Sequence, residues 1–231
     1  MFKKFVAGAA LAAAFAISPA VAADMPTKAP VAVPPPPPSW TGFNVGLSLV
    51  ILAVLAAEIL SLGDTLEYRQ AVAFSEPWRL LTAHFVHLSF LHALLNCVAL
   101  VLLGRLFGDR LRPAEFWMIL LGAPIAISLA FWLLLPALHW YRGLSDVLHA
   151  IYFAGCVVWI AGTAGRARWL PIAALLVGTL KVLIEQPWDS SFPVHPMLRV
   201  TVVPQAHLIG AIVGVAAGLA FRQLRQPGAS S

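Results

Sequence analysis

Long apolar stretches separated by short polar connections are the feature of this sequence that most restricts its fold. About 20 mostly apolar residues cross the hydrocarbon core of a bilayer as a helix, and such stretches recur from Leu47 onward. The predicted spans are 47–62, 91–107, 115–136, 145–163, 170–186 and 205–221. Each run is continuous and not alternating, which predicts helices and not barrel strands. With 60% apolar and 11% charged residues, the sequence predicts an all-α membrane protein, a bundle of six transmembrane helices, and excludes an ordinary soluble domain.

The first 46 residues differ in character from the rest. Residues 1–22 have a basic start, an apolar centre and an Ala-Val-Ala end, which is the layout of a secretory signal. Residues 23–46 include five consecutive prolines at 34–38 and predict an extended, disordered linker. This segment resembles the start of alpha-proteobacterial outer-membrane β-barrel proteins, where it leads into a strand. Because a membrane helix follows here, we interpret 1–46 as a fusion (natural, engineered or a gene-model artefact) ahead of a membrane domain at 47–222.

Arginines mark one end of the predicted spans and predict the orientation of the chain. They follow spans two, four and six, as Arg105, Arg110, Arg112, Arg166, Arg168, Arg222 and Arg225. The positive-inside rule makes these ends cytoplasmic. The tail 223–231 is then cytoplasmic, and the connections 63–90, 137–144 and 187–204 face the periplasm. A cleaved signal would reverse this orientation, and we expect the arginine-rich connections to prevail. The sequence thus predicts a multi-pass protein of the bacterial inner membrane, surrounded by lipid bilayer.

The net charge of +5 does not predict a nucleic-acid partner. The positive residues lie at helix ends and do not form a basic stripe with interleaved aromatic side chains.

Polar residues near the start of the second span form the first candidate site. His87 lies just before the span, and His92 and Asn96 are four residues apart, so a helix places these two on one face. Buried polar side chains are costly in a membrane unless they pair or take part in function. Hydrogen bonding between helices is the structural alternative.

A second candidate site is the sequence Gly143-Leu144-Ser145 at the start of the fourth span. A serine at a helix N-terminus lies where backbone N–H groups favour developing negative charge, although capping the helix is the simpler role. His207 begins the sixth span at the same predicted depth. Glycines at offsets of three, seven and eleven from His207 lie close to one face of that span, so its helix can approach a neighbour closely.

Together these residues resemble the rhomboid family of intramembrane serine proteases, over about residues 78–218. The matching features are His87, His92, Asn96, Gly143-Leu144-Ser145 and His207. The resemblance implies a six-helix bundle in which Ser145 is the nucleophile and His207 is the general base without a third carboxylate. It further implies that His92 and Asn96 help to bind the oxyanion, that Gly143 and Leu144 line the substrate site, and that no cofactor or metal is needed.

Within that family the chain is most similar to the rhombosortase branch. The residues behind this are Leu148-His149 after the serine, Lys181, and Glu185-Gln186 at the end of the fifth span. The similarity implies cleavage, near the periplasmic surface, of membrane protein substrates that carry a C-terminal transmembrane tail. Transfer of the new carboxyl end to a lipid amine, or its hydrolysis, both remain open.

The supporting residues have simpler interpretations. Lys181 and Glu185 are four residues apart and predict an ion pair within one helix. His149, one turn after Ser145, either tunes the site or is a packed histidine. Asp146 departs from the family, in which glycine follows the nucleophile, and we expect its carboxylate to oppose negative charge beside the oxyanion site.

Three functions are alternatives to a protease with a Ser-His pair. A metalloprotease is disfavoured, because no His-Glu-x-x-His sequence occurs. A small transporter would use the intramembrane polar residues as a path, but the six spans show no internal repeat. An inactive homologue that binds transmembrane helices is the third alternative, and Asp146 is its main support.

Overall fold

The computed structural model describes residues 41–188, 192–194 and 201–225. The predicted signal at 1–22, residues 23–40 of the predicted linker, and residues 226–231 of the predicted tail lie outside the described residues.

Within these ranges the chain is mostly α-helical, with two short strands. The helices are α1 (Thr41–Ile59), α2 (Gly63–Leu66), α3 (Arg79–Thr82), α4 (Phe90–Phe107), α5 (Pro113–Leu134), α6 (Ser145–Ala161), α7 (Trp169–Glu185) and α8 (Pro204–Leu224). The strands are β1 (Tyr68–Arg69) and β2 (Trp140–Tyr141). From α4 onward, the limits of the five long helices lie within three residues of the predicted spans.

Four of these helical segments are long and apolar enough to cross a membrane: Phe90–Phe107, Pro113–Leu134, Gly165–Glu185 and Pro204–Leu224. Two further apolar helical segments, Phe43–Ile59 and Ser145–Ala161, are shorter than a full span. The all-α membrane fold is therefore confirmed, whereas the count of six spans stays a prediction.

The first long helix begins earlier than predicted, inside the segment assigned to the linker. Helix α1 begins at Thr41 and not at 47, three residues after the last of the five prolines. Phe43 and Leu47 are both buried, and the Phe43 ring packs edge-on against Phe116 of α5 at 5.0 Å between centroids. Burial of these side chains extends the helix into residues 41–46, where no proline prevents it.

The connection between α1 and α4 is folded against the segment that precedes α6. Tyr68 of β1 pairs with Tyr141 of β2 in an antiparallel register. The buried Arg79 donates hydrogen bonds to the carbonyl oxygens of Asp64 and Glu67, each at 3.0 Å. The side chain of Arg142 pairs with Glu67, with 2.7 Å between Nε and Oε2. This connection is therefore fixed to the chain directly before the predicted nucleophile.

Helices α6 and α8 pack backbone to backbone along the glycine face of α8. A Cβ atom built on Gly210 would overlap the carbonyl oxygen of Asp146, and one built on Gly214 would overlap that of Ala150. Glycine is therefore required at both positions for the two helices to approach this closely. The close packing brings the N-terminal ends of α6 and α8 together.

An ion pair joins helices at the opposite end of the bundle. Arg225, directly after α8, donates from Nε to Glu115 Oε1 at 2.9 Å, and it also donates to the carbonyl oxygen of Arg110 at 3.0 Å. Glu115 lies in the first turn of α5. The C-terminal end of α8 and the N-terminal end of α5 thus share one side, away from the N-terminal end of α6.

Candidate active site

A short loop held by two hydrogen bonds positions Ser145. Gly143 has a φ of +137°, a conformation that glycine adopts without the strain other residues incur. Its N–H donates to the carbonyl oxygen of Ala83 at 3.1 Å. The N–H of Leu144 donates to Nε2 of His87 at 3.4 Å. Ser145 follows as the first residue of α6, where its backbone N–H is one of those that have no partner inside the helix.

His87 supports this loop from the side of α1. The backbone N–H of His87 donates to Glu58 Oε1 at 2.6 Å, and its ring is almost fully buried. Burial, reinforced by the neighbouring His92, lowers the pKa of His87 to about 3. The imidazole is therefore neutral at neutral pH and keeps one ring proton. The contact with the Leu144 N–H requires that this proton be on Nδ1, so that Nε2 accepts.

The predicted nucleophile and base lie within hydrogen-bond distance of each other. Nε2 of His207 is 3.0 Å from Oγ of Ser145. On the other side of the same ring, Nδ1 lies 3.2 Å from Oε2 of Glu185. The expectation that His207 has no carboxylate neighbour is therefore wrong, because the last residue of α7 reaches it. The order of groups is serine, imidazole, carboxylate.

Lys181 and His149 complete the surroundings of Glu185. Lys181 Nζ lies 2.8 Å from Glu185 Oε2, which is the predicted pair, and 3.1 Å from Nε2 of His149. Nδ1 of His149 lies 2.6 Å from the carbonyl oxygen of Ser145. The rings of His149 and His207 stack at 4.4 Å with 16° between their planes. His149 thus contacts both Ser145 and His207.

His92 and Asn96 lie on the opposite wall from α7. The ring of His92 lies beside the loop, since a Cβ built on Gly143 would be 3.2 Å from His92 Cε1. Asn96 donates from Nδ2 to the carbonyl oxygen of His92 at 3.0 Å. Both side chains line the same cavity as Ser145.

The side chain of Asp146 points away from this site, contrary to the sequence-based expectation. Its carboxylate is fully buried, with Oδ2 2.9 Å and Oδ1 3.1 Å from Nδ1 of His84. The N–H of Val147 donates to Oδ1 at 2.7 Å. Successive residues of an α-helix are about 100° apart around its axis, so when Ser145 faces the cavity, Asp146 faces the 83–85 segment. The prediction of a carboxylate beside the oxyanion site is therefore wrong.

Ser145 and His207 open onto a cavity of about 890 Å³ between α4 and α7. Most of its lining is apolar, and five of its polar residues form one connected cluster around Ser145. Among the lining residues are Leu95, Ala99, Leu103, Leu148, Tyr152, Phe153, Val177, Gly178 and Val203. Its size and lining suit an apolar ligand whose polar part meets Ser145.

The same cluster contains atoms of the types that bind metal ions. One ligand atom from each of His149, Glu185 and His207 lies within 4.8 Å of the other two, and imidazole and carboxylate groups can bind Zn²⁺. The Lys181 ammonium, however, already bonds to two of the three residues. The geometry therefore fits a resident ammonium better than a metal ion.

Glu58 and His84 support residues next to the site, namely His87 and Asp146, although the sequence did not identify either of them as part of it. Glu58 stands alone in an apolar span, and that isolation is itself a signal, since a carboxylate in a membrane is costly unless it has a partner. His84 gave no comparable signal, because a histidine in a connection is ordinary in sequence. Its Nε2 is 2.9 Å from Oγ of Ser128, and both residues are fully buried.

Comparison with protein-family models gives a match over most of the described chain. The family described as Rhomboid domain matches residues 75–224. No protein of curated function matches the chain. The matched range begins before α3 and ends with α8, so it contains every residue of the cavity wall and of the serine, imidazole and carboxylate series.

Proposed function

Because the chain belongs to the rhomboid family, whose members are generally intramembrane serine proteases, we propose that it cleaves membrane-anchored substrates with Ser145 as nucleophile and His207 as general base. The observation that carries the proposal is the 3.0 Å separation of Ser145 Oγ and His207 Nε2 at the mouth of the cavity. At this distance the imidazole can take the hydroxyl proton as Oγ attacks.

The reaction proceeds in two steps. Oγ of Ser145 forms a bond to the scissile carbonyl carbon, and its proton passes to Nε2 of His207. The carbon–nitrogen bond then breaks, and the same proton passes to the leaving amine. In the second step His207 takes a proton from the acceptor, water or a lipid amine, as the acceptor attacks the acyl carbon. The bond from that carbon to Oγ then breaks, and the proton passes from His207 back to Oγ of Ser145.

The oxyanion of each tetrahedral intermediate needs hydrogen-bond donors near Ser145. The backbone N–H of Ser145 is available as the first of α6. His92 and Asn96 share the cavity with Ser145 and supply side-chain donors from the opposite wall. We assign these three groups to the oxyanion, and Gly143 and Leu144 to the backbone beside the substrate.

Two features support the proposed substrate class: the lining of the cavity and the sequence resemblance to rhombosortases. The apolar lining from α4 and α7 suits a transmembrane segment, and the polar cluster around Ser145 suits the peptide at which that segment begins. We therefore propose C-terminal tails of membrane proteins as substrates, cut near the membrane surface. The arginine-rich helix ends lie away from Ser145, which supports an inner-membrane protein whose site faces the periplasm.

An inactive homologue loses its main support, since Asp146 pairs with His84 and does not face the site. No contact among the described residues specifically favours a transporter.

Labelling with a fluorophosphonate probe, which reacts with activated serines, tests the proposal on the purified full chain. Labelling should be lost in Ser145→Ala and His207→Ala and retained in Ser75→Ala, which removes an exposed serine outside the cavity. Cleavage of a fusion protein with a Gly-Gly sequence, a transmembrane helix and a basic end then tests the substrate. A folded wild type that never labels, or that labels equally in Ser145→Ala, would refute the proposed chemistry.

A further inference from the structure

Five residues near the ends of α6, α7 and α8 form a closed ring of contacts. Ser145 contacts His207, which contacts Glu185, which contacts Lys181, which contacts His149, which returns to the carbonyl oxygen of Ser145. The separations around the ring run from 2.6 to 3.2 Å. Every contact lies within hydrogen-bond distance.

The ring fixes which nitrogen of each imidazole carries a proton. His149 must donate from Nδ1 to a carbonyl oxygen, so its Nε2 accepts from the Lys181 ammonium, which can only donate. In His207, Nε2 must be unprotonated if it is to accept a hydrogen bond from the hydroxyl of Ser145. Nδ1 then carries the proton and donates to Glu185 Oε2. The two tautomers agree with all five contacts at once.

We infer that Glu185 is a positioning residue for His207. Its carboxylate holds the imidazole in the tautomer in which Nε2 is unprotonated. It also stabilises the imidazolium that forms when the Ser145 hydroxyl loses its proton. The inference rests on the proposed function of Ser145 and His207. It changes the site from a pair of residues to a series of three, in which the third member comes from α7.

Glu185 also pairs with Lys181, and its contacts with Lys181 and with His207 predict different effects of removing its carboxylate. If Glu185 served only to neutralise Lys181 within α7, its loss would affect stability and leave the reactivity of Ser145 unchanged. As a positioning residue it acts through His207, and its loss lowers the rate at which Ser145 reacts. The Glu185 side chain is 38% exposed, so solvent weakens its effect below that of a fully buried carboxylate.

The first test compares rates of fluorophosphonate labelling in Glu185→Gln, Glu185→Asp and wild type across pH 5–9. Glu185→Gln should lower the rate about 10- to 100-fold, the range set by one charge-assisted hydrogen bond. It should also move the acidic limb of the profile to lower pH, because His207 then has the Lys181 ammonium and the stacked His149 beside it without the opposing carboxylate. Glu185→Asp should recover part of the rate.

Glu115→Gln is the matched control, since Glu115 also pairs with a cation at a helix end but lies on the other side of the bundle. It should leave both the rate and the pH profile of labelling as in wild type. Glu185→Gln that labels within twofold of wild type with an unmoved acidic limb would overturn the inference while Ser145-dependent labelling keeps the proposed function intact.

A second measurement does not depend on reactivity. In protein with ¹⁵N-labelled histidine, the His207 signals are identified by their loss in His207→Ala. They should report a protonated Nδ1 with a low-field proton that disappears in Glu185→Gln. A protonated Nε2 in the wild type, or an unchanged spectrum in Glu185→Gln, would refute the role of Glu185 even if no labelling were seen.

Discussion

A single methyl group at Gly210 should separate the nucleophile from its base. A Cβ built on Gly210 would overlap the carbonyl oxygen of Asp146, which is backbone and cannot rotate away. Carbon and oxygen atoms approach no closer than about 3.3 Å, so α8 must move from α6 by about 1 Å. Since His207 lies one turn before Gly210, the 3.0 Å separation of its Nε2 from Ser145 Oγ grows to about 4 Å, beyond hydrogen-bond range.

The magnitude follows from two separate effects. A misplacement of about 1 Å in catalytic groups costs on the order of 100-fold in rate. Forcing a methyl group into the packed interface destabilises the fold by about 1–3 kcal/mol. Alanine has a higher helix propensity than glycine by up to about 1 kcal/mol, and this gain offsets part of the loss.

The assay measures the rate of fluorophosphonate labelling and the thermal unfolding temperature in detergent for Gly210→Ala and a control. Gly122→Ala is the control, because Gly122 lies within α5 and a Cβ there meets nothing within 4 Å. It should label like the wild type and unfold at the same or a higher temperature. Wild-type labelling and stability in Gly210→Ala would refute the argument that backbone contact between α6 and α8 sets the site.

Two further predictions concern buried groups beside the site. Asp146→Asn should lower the unfolding temperature, because it removes a charge-assisted hydrogen bond to His84 that contributes about 1.5–3 kcal/mol. A rise in the labelling rate of this variant would show instead that the carboxylate opposes the oxyanion. The folded-state pKa of His87, about 3, lies below its unfolded value, so the unfolded state takes up the proton first and stability falls with pH below about 6.5. Lowering the pH from 7.5 to 5 should therefore reduce the free energy of unfolding by about 2 kcal/mol in the wild type and by less in His87→Gln. Unfolding temperatures at the two pH values measure this, and equal losses in both proteins would contradict the role of His87.

The sequence predicted the helices well because their apolar runs are long and their ends carry clear signals. The position of Ser145 at a helix N-terminus could be predicted because a glycine-containing loop leads into an apolar run. The nearby position of His207 could be predicted because a later run begins at the same depth. The early start of α1 was missed, since the preceding proline run and the resemblance to a β-barrel segment both favoured a linker.

The contacts of Glu185 and Asp146 could not be predicted because they depend on how helices turn about their axes. The spacing of Lys181 and Glu185 shows only that they share a face of α7. It does not predict which helix that face contacts. Asp146 is adjacent to the nucleophile in sequence, yet one step of helical rotation takes it to the other side of α6.

The shortness of α6 has a consequence for the thickness of the bilayer around the protein. Its 17 residues, at 1.5 Å each, span about 26 Å, whereas a typical hydrocarbon core is about 30 Å thick. If its C-terminal end lies at one interface, Ser145 lies about 4 Å inside the other. A hydrophobic mismatch of this size is relieved by local thinning of the lipid, so a membrane of shorter acyl chains would bring the reactive hydroxyl nearer to water, and a thicker membrane would bury it.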